Sequence, residues 1–228
     1  MEQWKTRLAK AAVFKDIPAA ELEPILGQIR LRDYRDEDVI FSRGDAADCA
    51  FVIDAGLVQV GTVGENGKRV TVEIFKAGEM FGEVAVIDGN PRSADAAARG
   101  SARLAVISAA TFRALLYRSP VFAVNLLRLA VARLRRTYSL FEDASLSNLE
   151  RRLARQVLYL MGLGAEGECR VRIYSRLNQG DLADLLGATS RSIITILNKW
   201  RENGLAEFDS RTHQITVLDL GRFRSLGD

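Results

Sequence analysis

Between Leu31 and Ile107 the apolar positions fall in short runs, "DVIFS", "CAFVIDAG", "LVQVGTV", "RVTVEIF" and "RLAVIS", separated by Gly and Asp turns. Runs of this length bounded by turn residues predict an all-β unit. In "GENGK", Gly64 to Lys68, the Asn-Gly pair tolerates the positive φ angles of a two-residue turn, which predicts a hairpin there. Gly44, Gly56, Gly78 and Gly82 come at intervals that place them at strand ends, as in a compact antiparallel barrel or sandwich.

After Ser119-Pro120 the period changes. "VFAVNLLRLAVARLRRTYSLFEDA" contains no Gly or Pro, and Val124, Leu127, Val131, Leu134, Tyr138 and Phe141 are spaced by three, four, three, four and three residues. That 3.5-residue repeat makes a seam along one long helix. The seam packs either on its own domain or on a partner helix, and Arg128, Arg135 and Arg136 flanking it favour the partner. Ser147-x-x-Glu150 reads as a capping box opening a new helix. A hinge is therefore expected at Ala144 to Ser147, followed by the helix "NLERRLARQVLYLM", which ends in "GLGAEGE". Further on, "NQGDLADLLGATSRSIITILNKWRENGL" reads as two helices joined at Leu186-Gly187-Ala188. Leu182, Leu185 and Leu186 form the inner face of the first, and Ile193, Ile196, Leu197 and Trp200 that of the second. Gly187 supplies the turn and Thr189 caps the second helix. The strands "LAEFD" and "QITVL" around "SRTH" add a hairpin wing. The pattern fits a winged helix-turn-helix with its second helix exposed; an ordinary αα-hairpin is the alternative.

Composition bounds this picture. The chain has 228 residues, 48% hydrophobic and 27% charged, enough for two modest domains. No apolar run approaches the ~20 residues of a membrane span, and "MEQWKTRLAKAAVF" has no apolar stretch of signal-peptide length, so a cytoplasmic protein with no membrane partner is expected. Net charge is +3, with 20 basic and 19 acidic residues up to Leu146 and 12 and 10 after it. Neither part is strongly basic, so nucleic-acid binding has to rest on the local motif. Cys49 and Cys169 lack metal-ligand spacing, and no metal site is expected. No catalytic histidine cluster, P-loop or nucleophile elbow is present, which argues against an enzyme.

The stretch with distinctive chemistry is "FGEVAVIDGNPRSADAAA", Phe81 to Ala98. Arg92 offers a planar cation with paired donors suited to a phosphate, and Ser93 a hydroxyl beside it. Glu83 can accept from neighbouring hydroxyls, as on a ribose. Gly82 and Gly89 let the backbone bend closely around such a ligand, and the small residues Ala94 to Ala98 leave room for it. Taken singly, Arg92 reads as a surface cation and Glu83 as a solvated carboxylate. Their order in one turn-rich loop is what points to a nucleotide phosphate.

This stretch resembles the phosphate-binding cassette of cyclic-nucleotide-binding domains, and the whole chain is similar to the CRP/FNR family of bacterial transcription regulators. The resemblance implies an α+β chain with a cyclic-nucleotide-binding β-roll over 1–118, a long central dimerisation helix and hinge over 119–146, and a winged helix-turn-helix over 147–228. It places Glu83 on the ribose 2′-hydroxyl with Gly82 near it, and Arg92 and Ser93 on the cyclic phosphate. Arg133 and Thr137 match the family's arginine and threonine on the central helix. The next position, a serine from the partner subunit in the cyclic-AMP receptor protein, is Tyr138 here. The resemblance favours cyclic AMP, and because tyrosine can stack on a purine face or donate its hydroxyl, cyclic GMP is the second effector.

On the recognition helix the family's Ser-Arg-Glu-Thr becomes Thr189-Ser190-Arg191-Ser192, and a downstream arginine becomes Thr195. Ser190, Arg191, Thr195 and Asn198 are expected to face the groove, on an operator different from that of the cyclic-AMP receptor protein. Arg191 reads a guanine or contacts a phosphate. Two cysteines are too few for an iron–sulfur sensor. A haem sensor needs a histidine in the β domain, and the only histidine, His213, lies in the wing as a structural or solvent-exposed turn residue. The expected partners are a double-stranded DNA operator, a second copy of the chain and RNA polymerase. An effector-independent regulator with a vestigial cassette is the alternative.

Overall fold

The computed structural model describes residues 3–64, 69–162, 171–173 and 177–227. The turn within "GENGK", most of "GLGAEGE" and Cys169 lie outside these residues. Two compact units result, 1–135 and 136–228.

The first unit is built on one antiparallel sheet. Its strands are β1 (Arg30–Tyr34), β2 (Val39–Phe41), β3 (Cys49–Val63), β4 (Arg69–Lys76), β5 (Met80–Phe81) and β6 (Asp95–Ser108). The order is β1-β6-β3-β4, with β2 added on β6 and β5 on β3. The two long strands carry the roll, because β3 pairs with β6 from Cys49↔Ser108 to Gly61↔Asp95 and with β4 from Leu57↔Lys76 to Val63↔Arg69. "CAFVIDAG" and "LVQVGTV", expected as two strands, are one. Gly56 does not end a strand; it sits at a register shift with φ 88°, where a Cβ would lie 2.4 Å from the Ser101 carbonyl oxygen. Such a bulge lets one long strand bend around the core without stopping.

Helices α1 (Gln3–Ala9), α2 (Ala19–Leu26), α3 (Val84–Asp88) and α4 (Ala109–Arg118) complete this unit with the first part of α5 (Pro120–Leu146). Its core has two parts. Leu8, Phe14, Leu22, Phe112, Leu115 and Phe122 pack helices on one another and on the sheet. Phe51, Phe75 and Phe81 stack against Ala96, Ala98 and Leu104 inside the roll.

The second unit holds the end of α5, then α6 (Leu149–Gly162), β7 (Val171–Ile173), α7 (Gln179–Leu186), α8 (Ser190–Glu202), β8 (Ala206–Asp209), β9 (Gln214–Val217) and α9 (Leu220–Gly227). The helix break falls at Ser147-Asn148, but the expected Ser147 cap is not made. Asn148 Oδ1 accepts from the Arg151 amide at 2.9 Å, while the Ser147 amide still donates to Asp143 of α5. Glu150 is thereby free of the cap and accepts from Lys199 and Trp200 of α8 instead. The final turns of α5 lie on α6 through an Arg155–Asp143 ion pair, an Arg136–Gln156 hydrogen bond of 3.2 Å, and the Arg136 guanidinium over the Tyr159 ring.

The helix-turn-helix pair forms as its pattern dictates. Asn178 and Asp181 make a reciprocal capping box on α7, Gly187 takes the left-handed conformation at φ 62°, and Thr189 accepts from the Ser192 amide to start α8. Leu182, Leu186, Ile193, Leu197 and Trp200 are buried between them. The wing is a three-stranded sheet, β7-β9-β8, in which the β7 strand adds to the expected hairpin.

Candidate nucleotide cleft and DNA-facing helix

β5 delivers the chain to Gly82, whose φ of 73° turns it into α3. A Cβ at Gly82 would lie 3.0 Å from Arg92 Nη1 and 3.3 Å from the Phe41 and Phe51 rings, so only glycine seats the chain here. Gly89, at φ 74°, caps α3 and turns the loop back toward β6. Arg92 is held by its backbone, with its amide donating to the Asp45 carbonyl and its own carbonyl accepting from Gly44.

Glu83 and Arg92, which singly read as solvated, are buried, each residue at 4% exposure. Arg92 lies over the Phe41 ring at 4.3 Å and donates from Nη1 to the Gly82 carbonyl at 2.6 Å and from Nη2 to the Cys49 carbonyl at 2.7 Å. Arg133, from α5, pairs with Glu83 Oε1, donates to the Met80 carbonyl and lies 4.7 Å over the Phe75 ring. Glu83 Oε2 and Arg92 Nε are both buried with no hydrogen-bond partner. Charged atoms buried without a partner are costly, and a polar ligand would complete the arrangement.

These groups line one cleft of about 90 Å³, walled by Phe41, Phe75 and Phe81 and bordered by Ser93 and Ala94. Of the expected ligand residues, the structure brings Gly82, Glu83, Arg92, Ser93 and Arg133 together. Ser93 is exposed at the rim, and Thr137 and Tyr138 are exposed on α5 in the second unit. The small residues after Ser93 serve a different purpose from the one expected. Only Ala94 borders the cleft, whereas Ala96 and Ala98 belong to β6 and are small because they face the stacked phenylalanines. Phe41, Phe75 and the Cys49 and Met80 carbonyls come from other strands and had no local signal in the sequence. The Cys49 thiol is pushed up to about 11 by burial and then by its hydrogen bond to Asp48. Among the described residues no group of three His, Cys, Asp or Glu side chains is placed for a metal ion.

In the second unit Thr189, Ser190, Arg191, Thr195 and Asn198 are exposed, and Ser192 is half-buried under its cap bond. The Thr195 hydroxyl donates to the Arg191 carbonyl at 2.9 Å. Glu150 of α6 orients α8 from behind, accepting from Trp200 Nε1 at 3.0 Å and from Lys199 Nζ at 2.6 Å. His213 takes φ 53° in the wing turn and lies half-buried beside Phe208, with Nδ1 buried and unpartnered. No single described helix is long and apolar enough to cross a membrane.

A small-molecule cleft in a β-roll and an exposed helix on a winged helix-turn-helix define a class, the ligand-binding DNA regulator. A cyclic nucleotide-binding domain model matches residues 31–119, and a Crp-like helix-turn-helix domain model matches residues 151–226. The chain is 24% identical over 206 residues to a CRP-like cAMP-activated global transcriptional regulator of Mycobacterium tuberculosis, covering 90% of this chain and 92% of that one. It is 25% identical over 203 residues to a cyclic AMP receptor protein of Thermus thermophilus, covering 89% and 91%. The fold matches that of FixK2 from Bradyrhizobium japonicum with a TM-score of 0.79 at 17% identity, covering 88% of this chain and 98% of that one. The chain belongs to the CRP/FNR family and is a cyclic-nucleotide-binding transcription regulator with a DNA-binding helix-turn-helix; the family is one of regulators, not enzymes.

Proposed function

We propose that the chain works as a homodimer in which cyclic AMP, or cyclic GMP as second effector, biases the orientation of two recognition helices on a palindromic operator. The observation that carries this reading is the pair of buried orphan atoms, Glu83 Oε2 and Arg92 Nε, on two residues that line the same cleft. A ribose hydroxyl is the group a carboxylate oxygen lacks, and a cyclic phosphate is the group a guanidinium N–H lacks. Glu83 and the Gly82 backbone would hold the ribose, Arg92 and Ser93 the phosphate, and Arg133, Thr137 and Tyr138 would close the ligand from α5.

Cyclic AMP is the leading effector because the similar protein of M. tuberculosis is a cAMP-activated regulator and that of T. thermophilus is a cyclic AMP receptor protein. Cyclic GMP stays in view because Tyr138 offers both a ring face and a hydroxyl to a purine. Dimerisation is supported by the α5 seam. Val124, Leu127, Val131, Leu134, Tyr138 and Phe141 are all exposed, Leu127 by 64% and Phe141 by 74%, and a row of this kind is covered by a partner helix. A functional division at 1–118, 119–146 and 147–228 follows, with residues 189–192, Thr195 and Asn198 addressing DNA and RNA polymerase as a further partner.

One observation favours the effector-independent alternative, since Arg92 Nη1 and Nη2 already bind protein carbonyls and Arg133 already pairs with Glu83. Isothermal titration calorimetry with cyclic AMP and cyclic GMP separates the two. Saturable binding at one site per chain supports the gated reading, and no heat with either nucleotide supports the other.

A further inference from the structure

α8 turns Ile193, Leu197 and Trp200 into the core of its unit and presents the opposite face to solvent. On that outer face Ser190, Arg191, Thr195 and Asn198 are polar. Ile194 is not, and it remains 39% exposed. It stands four residues from both Ser190 and Asn198 and three from Arg191, so it occupies the middle of the stripe they form. A β-branched aliphatic side chain gains nothing from helix propensity at an exposed position, and the buried face already has Ile193 and Leu197. Its burial must come from whatever covers α8.

We infer that Ile194 is a specificity-determining residue that packs on the C5 methyl of a thymine in the major groove. The inference rests on the reading of α8 as the DNA-facing helix. The thymine methyl is the one apolar group on the major-groove edge of the four bases, and isoleucine has no polar atom with which to read anything else. A cytosine in the same place would put its amino donor against an aliphatic surface and lose that donor's water, so the contact selects against cytosine as well as for thymine. The polar neighbours then read the flanking base pairs, and the operator carries a thymine between positions read by hydrogen bonds.

The test is a methyl scan. Duplexes are enriched from a random pool on the full-length protein with cyclic AMP present, and each thymine of the selected site is replaced in turn by deoxyuridine, which removes only the methyl. For the wild type one position per half-site should weaken binding about fourfold, the factor matching the ~0.8 kcal/mol of one buried methyl-sized group. Ile194→Ala should bind the parent site more weakly and lose that sensitivity, Ile194→Val should keep most of it, and Ser190→Ala should keep it fully. Tolerance of deoxyuridine at every position by the wild type, or unchanged sensitivity in Ile194→Ala, would overturn the inference while leaving the DNA-facing role of α8 intact. Failure of the wild type to enrich any duplex would overturn that role itself.

Discussion

Arg92 holds the cassette together and, in the proposed function, also meets the phosphate, and the two roles respond differently to substitution. Arg92→Leu strands the Gly82 and Cys49 carbonyls, each at a cost of about 1–3 kcal/mol, and removes the charge that would meet a phosphate, at about 2–5 kcal/mol of affinity. Loss of nucleotide binding by calorimetry, together with a lowered thermal midpoint, is the expected result. Arg92→Lys keeps the charge and loses the fork, so both effects should be intermediate. Unchanged nucleotide affinity in Arg92→Leu would remove the arginine from the site. Cys49, whose carbonyl accepts from Arg92, gives an independent probe of the core beside that arginine. Burial raises its thiol to about 11, so at pH 8 its thiolate fraction is roughly a hundredfold below that of a free cysteine. In a Cys169→Ser background, alkylation by iodoacetamide followed by mass spectrometry should be correspondingly slow and still accelerating at pH 10. Rapid alkylation at pH 8 would show that Cys49 is not enclosed.

Among the elements, the helices with a strict period were the most legible. α5 runs as one helix through the 3.5-residue repeat, whose apolar residues are exposed in the single chain, and on the inner faces of α7 and α8 Leu182, Leu186, Ile193, Leu197 and Trp200 are buried where the pattern put them, with Leu185 and Ile196 half-buried. The β-roll was readable as strands but not as a path. Gly56 signals a turn by composition, yet the pairing of β3 with β6 on both sides of it makes it a bulge, and only tertiary pairing decides between the two. Ala96 and Ala98 likewise gave no hint that ring stacking, not ligand, required their size. The capping box failed by one residue because Asn148 is an equal or better N-cap than Ser147, and Glu150 had a stronger demand on it from Trp200 and Lys199. That demand has a consequence for α8. Glu150→Ala leaves the buried indole N–H unpaired and should destabilise the second unit by about 1–2 kcal/mol, read as a lower urea midpoint. An unchanged midpoint would mean that water replaces the carboxylate. On α5, Val131 sits mid-seam at 41% exposure in the single chain. In the proposed homodimer Val131→Glu would bury a charge against its symmetry mate, so sedimentation velocity should show dimers for the wild type and monomers for the variant at micromolar concentration. A persisting dimer would place the interface elsewhere.

For the whole molecule, gating by a nucleotide requires that the cleft and the exposed helix α8 communicate. The exposed residues Thr137 and Tyr138 follow Arg133 on the same helix, α5, and that helix is tied to α6 by Arg155–Asp143 and Arg136–Gln156. A nucleotide closed over by α5 would thereby favour one arrangement of the two recognition helices, spaced for half-sites about one DNA turn apart. Coupling of this kind is typically about 1–3 kcal/mol and is reciprocal. Thr137→Ala should reduce the coupling more than it reduces DNA affinity in the nucleotide-bound state, and Arg191→Ala should do the reverse. The most direct measurement is a fluorescence-anisotropy titration of the enriched operator with and without cyclic nucleotide, paired with calorimetry of the nucleotide with and without operator. The predicted result is a 5- to 150-fold tightening of DNA binding by nucleotide, matched by the same factor in the opposite direction. Identical DNA affinity in the presence and absence of nucleotide would contradict the gated reading and leave an effector-independent regulator in its place.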